Sequence, residues 1–176
     1  MHLKKMSVAR RCLTVVAASS VSAVFLSSSA FAVCSTQGQT LMKNLQGSWQ
    51  GRGAVTPIDG RPERISCRIT YTSEGDSRLR QSIACTGSDY RLEASSRVRC
   101  EGNTLEGSFE EKIANNTGTV RGSISANHLN IEADGPSFKG HFNVVFQGAN
   151  RHTVAITQFD SAKGRQTPVA SVQLSR

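Results

Sequence analysis

The chain lacks the short patterns that announce metal or catalytic chemistry. It has no C-x-x-C and no H-x-H, which removes the zinc and thioredoxin-like motifs built on those spacings. No Ser or Cys stands in a nucleophile motif with His128, His141 or His152. Glu110 and Glu111 are adjacent, so on a strand they point to opposite faces and do not act as a carboxylate pair. The expectation is a protein without catalytic residues, bound metal or cofactor, and not an enzyme. Prolines are few, at four, and the segments between turns are free to run as strands. Long apolar runs are also missing, apart from one near the start.

That run defines a leader. Lys4, Lys5, Arg10 and Arg11 precede the apolar stretch from Cys12 to Phe25, and Ala30-Phe31-Ala32 has the A-x-A form of a cleavage site. Residues 1–32 therefore read as a secretory signal peptide cleaved after Ala32, not as a transmembrane segment. Val33 occupies the position where a lipobox needs a small residue, which argues against lipid anchoring at Cys34. Four of the 21 Lys and Arg lie in the leader, leaving 17 against 13 Asp and Glu and a net charge of +4 instead of +8. Those charges are scattered along strand-like segments. Nucleic-acid binding needs a concentrated patch and is not expected. The implied location is the periplasm or the exterior, where disulfides persist.

Residues 33–46 form a lead-in, a short turn of helix or irregular chain, in which Leu41, Met42 and Leu45 arrive at helical spacing. Residues 47–176 read as one β domain. Its first strand is Gly47–Val55, with the only Trp at position 49. A hairpin over Ile65–Cys85 follows, folded about Asp76, with Ile69 opposite Ile83 and Cys67 opposite Cys85. A one-residue slip would send each pair to opposite faces, so cysteines and apolar pattern support one register. Turn signals then recur every eight to twelve residues, giving ten strands in all. Later pairings follow apolar matching: Val98 with Leu105, Ala94 and Val120 with Phe109, Ile124 with Leu129, Ala133 with Phe138, Val144 with Val154, and Phe142 with Ile156. A continuous meander with one apolar face is best satisfied by an up-and-down antiparallel barrel, because closure removes exposed edges. A two-sheet β-sandwich is the alternative.

Opposed Cys67 and Cys85 predict a cross-strand disulfide. Pairing of Cys34 with Cys100 would tie the lead-in to the barrel rim, although four cysteines allow three connectivities. The inner face offers Trp49, Tyr71, Tyr90, Phe109 and Phe142 as lining for a candidate cavity. In the matched register Ser96, Gly107, Gly122 and Gly140 make a row of small residues interrupted by Ile131. Such a row either lets strands bend sharply or floors a hollow, and barrels of this size hold one small ligand.

Two resemblances rest on these residues. Gly47-Ser48-Trp49-Gln50-Gly51-Arg52-Gly53, the Cys67–Tyr71 strand, Ser108-Phe109-Glu110-Glu111 and Asp134-Gly135-Pro136-Ser137-Phe138 resemble a group of small exported alphaproteobacterial proteins. That likeness implies the fold and no activity. The early Gly-x-Trp with the closing Leu174-Ser175-Arg176 is similar to the calycin superfamily of ligand-binding barrels, including bacterial secreted metalloprotease inhibitors. The calycin likeness implies that Arg176 stacks on Trp49. The expected function is non-enzymatic binding in the cell envelope, with a small apolar ligand or an envelope protein as partner and the chain a monomer. The alternative is a protease inhibitor acting through its N-terminal segment.

Overall fold

A computed structural model describes residues 33–58 and 60–176. The leader and its cleavage site lie outside these residues. A helix, α1 (Thr36–Leu45), precedes ten strands: β1 (Gly47–Val55), β2 (Glu63–Ser73), β3 (Arg78–Thr86), β4 (Arg91–Glu101), β5 (Thr104–Glu111), β6 (Asn116–Ser125), β7 (His128–Gly135), β8 (Phe138–Phe146), β9 (Arg151–Asp160) and β10 (Arg165–Ser175). Each strand pairs antiparallel with the next, and β10 returns to β1, closing the barrel. The sandwich alternative is excluded.

The seam explains two glycines of the first strand. Gly51 and Gly53 sit opposite Leu174 and Val172. A Cβ on either would lie 2.0 Å from a β10 carbonyl oxygen, that of Gln173 or Ser171. Closure brings β10 too near β1 for any side chain there.

The Ile65–Cys85 hairpin has the expected register, with Cys67 opposite Cys85 and Ile69 opposite Ile83. So do Ile124 with Leu129, Val144 with Val154, and Phe142 with Ile156. Three other hairpins are displaced by two residues. Val98 faces Gly107 while Leu105 faces Cys100, Ala94 faces Glu111, Phe109 lies between Ser96 and Gly118, and Ala133 faces Gly140. A two-residue slip leaves every side chain on its own face, so apolar matching does not distinguish the registers. The turns decide. Gly102, at φ 56°, and Asn103 make a two-residue link between Glu101 and Thr104. Pro136-Ser137 does the same between Gly135 and Phe138.

The lead-in is a ten-residue helix, more regular than its sequence suggests. Ser35 caps it, its Oγ accepting from the Gly38 N–H at 3.0 Å; such a cap contributes about 1 kcal/mol. Gly38, Leu41, Met42 and Leu45 are buried, so the helix covers one end of the barrel. Cys34 forms a disulfide with Cys100, and its neighbour Ser35 donates its N–H to the Gly102 carbonyl at 2.8 Å. The second disulfide, Cys67–Cys85, lies inside the wall. Covalent pairs of this kind form in oxidising, extracytoplasmic compartments. No helix among the described residues is long and apolar enough to cross a membrane.

Candidate functional site: the barrel interior

Inward-pointing side chains fall into two groups by exposure. At the end covered by α1 they are packed: Trp49, Leu79, Leu105, Ile124, Leu129, Val144 and Leu174 are all at most 6 % exposed. Packing also continues along β1 and β2, where Val55, Ile65, Cys67 and Ile69 are buried. On β4 to β9 it gives way. Leu92, Ala94, Ser96, Val98, Gly107, Phe109, Ile131, Phe142, Val154 and Ile156 share the inward parity and are each partly exposed. A bulky side chain that points inward and still meets solvent, as Phe109, Phe142, Val154 and Ile156 do, borders reachable space. The interior is therefore a vessel filled at one end and along one side, with accessible wall on β4 to β9.

Three phenylalanines on that wall form a cluster. The Phe109 and Phe138 rings lie 6.3 Å apart, and those of Phe138 and Phe142 lie 6.1 Å apart. These separations favour edge-to-face contact. Glycine makes room for the rings. A Cβ on Gly118 would lie 2.5 Å from the Phe109 ring, and one on Gly140 would lie 2.6 Å from that of Phe138.

Gly107, Gly122 and Gly140 all point inward but do not share one row. Gly107 pairs with Val98 and Val120, Gly122 with Leu105 and Ile131, and Gly140 with Ala133 and Gln158. Their missing side chains are answered by close neighbours. A Cβ on Gly107 would lie 1.9 Å from the Arg97 carbonyl oxygen, and one on Gly122 would lie 2.8 Å from that of Asn130.

The floor is polar in an unexpected way. Trp49 is 1 % exposed and donates its Nε1–H to the Leu45 carbonyl at 2.7 Å, joining β1 to α1. Against it sits His152, which sequence position puts beside a turn and the fold buries completely. Its ring centre is 4.4 Å from that of Trp49 and 5.5 Å from that of Phe146. Neither ring nitrogen has a hydrogen-bond partner among the described residues. Burial first, and the Arg176 charge second, push its pKa down to about 4. The imidazole stays neutral at ordinary pH.

A second polar element climbs the wall. Tyr71, Gln81 and Ser96 occupy one row across β2, β3 and β4. Ser96 Oγ donates to Gln81 Oε1 at 3.0 Å, and Gln81 Nε2 donates to Tyr71 Oη at 3.1 Å. Burial pushes the Tyr71 phenol up to about 12, against the lowering effect of the Gln81 bond. Tyr90 directly precedes β4, partly buried against the core, and burial and then the charge of Glu111 raise its pKa. Of the sequence-predicted lining, Trp49 belongs to the packed floor, Tyr71 is buried in the row with Gln81 and Ser96, Phe109 and Phe142 line the accessible wall, and Gly107 and Gly122 sit between close neighbours. Gly140 is buried behind Phe138. Sequence reasoning missed Gln81 and took Ser96 only as a small residue of the inner row. The available signal was a polar residue at inward parity between Leu79 and Ile83.

The remaining histidines stand apart. His128 contacts Asn127 in a turn, and His141 is exposed beside Glu132. A groove of about 500 Å³ runs beside α1, lined by Thr40, Leu41, Asn44, Ala126, Phe146 and Gly148 among others.

Neither protein-family models nor curated proteins match the chain. Solved structures do. Rv2717c from M. tuberculosis is similar with a TM-score of 0.62 at 15% identity, over 82% of this chain and 99% of its own. The S-type phycobiliprotein lyase CPES from Guillardia theta is similar with a TM-score of 0.58 at 11% identity, over 78% of this chain and 91% of its own. EF1p2_mFAP2b bound to DFHBI follows with a TM-score of 0.50 at 11% identity, over 78% and 98%. Identities this low speak for the barrel fold alone.

Proposed function

We propose that this protein is an exported, non-enzymatic binding barrel that holds a small apolar ligand inside its wall as a monomer. The carrying observation is the split in exposure: one end packed beneath α1, and an aromatic wall on β4 to β9 that solvent reaches. Apolar side chains left partly wet inside a closed sheet lose burial that a ligand restores, at about 25 cal/mol per Å² covered. The solved barrel bound to DFHBI supports the reading, since a related shape accommodates one small molecule. The two disulfides support export.

Inhibition of a protease through the N-terminal segment has no observation in its favour. Cys34 is 3 % exposed and bonded to Cys100, and α1 begins two residues later. The sulfur that a lipid anchor would need is the same one that forms this bond.

Titration of the oxidised protein with N-phenyl-1-naphthylamine tests the proposal. The expected result is a saturable fluorescence rise at one probe per chain, reduced by Phe142→Ala. A parent protein that leaves probe emission unchanged would overturn it.

A further inference from the structure

Inside a closed sheet, polar side chains at inward parity demand a reason. Tyr71, Gln81 and Ser96 are three such residues, consecutive in one row. Their hydrogen bonds run in one direction, from Ser96 to Gln81 to Tyr71. Counting donors along that chain leaves two unspent. Gln81 uses one N–H of its amide on Tyr71. The Tyr71 hydroxyl accepts that bond, and its own O–H finds no acceptor among the described residues. A buried hydroxyl usually makes its bonds, and a chain of aligned bonds strengthens the donor at its end.

The row also has a position. Ser96 pairs next with Phe109, and Phe109 belongs to the three-ring cluster. Polar chain and aromatic surface are thus adjacent sectors of one wall. Three strand spacings separate Tyr71 from Phe109, about 14 Å along the sheet, an arc that a fused two-ring molecule with one substituent bridges through the interior.

We infer that the ligand is a planar apolar molecule carrying one hydrogen-bond acceptor, a carbonyl or its equivalent. Its ring lies against Phe109 and Phe142, and its acceptor takes the free donors of Tyr71 and Gln81. This rests on the binding-barrel reading and narrows it to a ligand class. The phenol keeps its proton far above neutral pH, so it donates under all physiological conditions. The row carries no cation, so the site does not call for a carboxylate.

Two probes of the same shape separate the possibilities: 2-acetylnaphthalene, which carries the acceptor, and 2-isopropenylnaphthalene, which replaces its oxygen by a methylene. Affinities are measured calorimetrically for the parent, for Tyr71→Phe and for Gln81→Met, with melting curves confirming that each variant is folded. Tyr71→Phe is expected to weaken the ketone about tenfold, the loss of one hydrogen bond, and to leave the alkene within a factor of two. Gln81→Met is expected to weaken the ketone in the same sense, and it carries the test should Tyr71→Phe fail to fold. Ketone and alkene binding that respond alike to both substitutions would overturn the inference and leave the binding barrel standing. A parent that binds neither probe would overturn both.

Discussion

The guanidinium carbon of Arg176 lies 4.8 Å from the centre of the Trp49 ring. Arg176 also donates through its side chain to the Gln46 carbonyl at 2.9 Å and to Asn150 Oδ1 at 3.2 Å. One side chain thus spans the α1–β1 junction, the indole and the β8–β9 turn. The calycin likeness anticipated this contact, and closure of β10 on β1 produces it.

Removing that clasp should be costly out of proportion to its exposed position. Arg176→Ala loses a cation–π contact of about 0.5–2 kcal/mol. Deleting Leu174 to Arg176 also removes a side chain only 1 % exposed. Thermal melting should fall for both, more for the deletion, and Trp49 emission should shift to the red. Unchanged melting and emission in the deletion would contradict a structural seam.

The two disulfides should not be equal. Cys34–Cys100 closes a separation of 66 residues and Cys67–Cys85 one of 18. Chain entropy then assigns about 4 kcal/mol to the first and about 3 to the second. Double Cys→Ala variants of each pair should rank in that order by urea denaturation. Non-reducing peptide mapping should recover both links, and intact mass of protein expressed with its leader should place the N-terminus at Val33. Free thiols at 67 and 85 would break the hairpin register.

Stability should fall with acid through His152. In the unfolded chain the imidazole gains its proton near its ordinary 6.5, and in the fold only near 4. Between those values the unfolded state binds more protons, so the fold weakens as pH drops through the window and this loss levels off below it. The full contribution is about 3 kcal/mol. His152→Phe should flatten the pH dependence from 6.5 to 4. The carboxylates of Asp160, bonded to Lys163, and of Glu74, bonded to Arg80, are held below the usual range and act at lower pH. At the alkaline end Tyr71 gives the opposite sign, with stability lost as pH rises from 10 towards 12.

The inward glycines should tolerate substitution unequally. Gly107→Ala drives a Cβ onto the Arg97 carbonyl, and Gly122→Ala meets that of Asn130 less closely. Overpacking of this kind costs about 1–3 kcal/mol, with Gly107 expected at the upper end. Equal losses in chemical denaturation would mean that the wall relaxes freely.

The barrel was legible from sequence because period two survives most strands, the shift between Pro168 and Ala170 on β10 being an interruption. The Cys67–Cys85 register was legible because covalent pairing admits no slip. Once that register is set, Tyr71 must face Gln81, yet apolar matching passes over a polar pair. The β4–β5 register was not legible for the converse reason: Val98 opposite Leu105 is as good an apolar match as Cys100 opposite Leu105, and Gly102-Asn103 decides. The helix was half legible. Its three apolar residues announce the spacing, but Thr, Gly and Asn are poor helix formers, and burial against the barrel outweighs them. The burial of His152 follows from strand parity with Val154 and Ile156, which a turn-adjacent position obscured.

The seam between β1 and β10 carries a temporal consequence. Every other strand pair joins neighbours in the chain, and each hairpin can zip locally as soon as its turn exists. The seam joins Gln50 to Ser175, almost the whole length of the domain. Loop-closure entropy makes such long-range pairing the slow step of folding. During synthesis the first strand emerges early and has no final partner until β10 follows. In that interval β1 presents an unpaired edge, and α1 stands without the Arg176 contact to the Gln46 carbonyl. Folding of this protein therefore includes a waiting period in which its first strand is the segment most in need of protection.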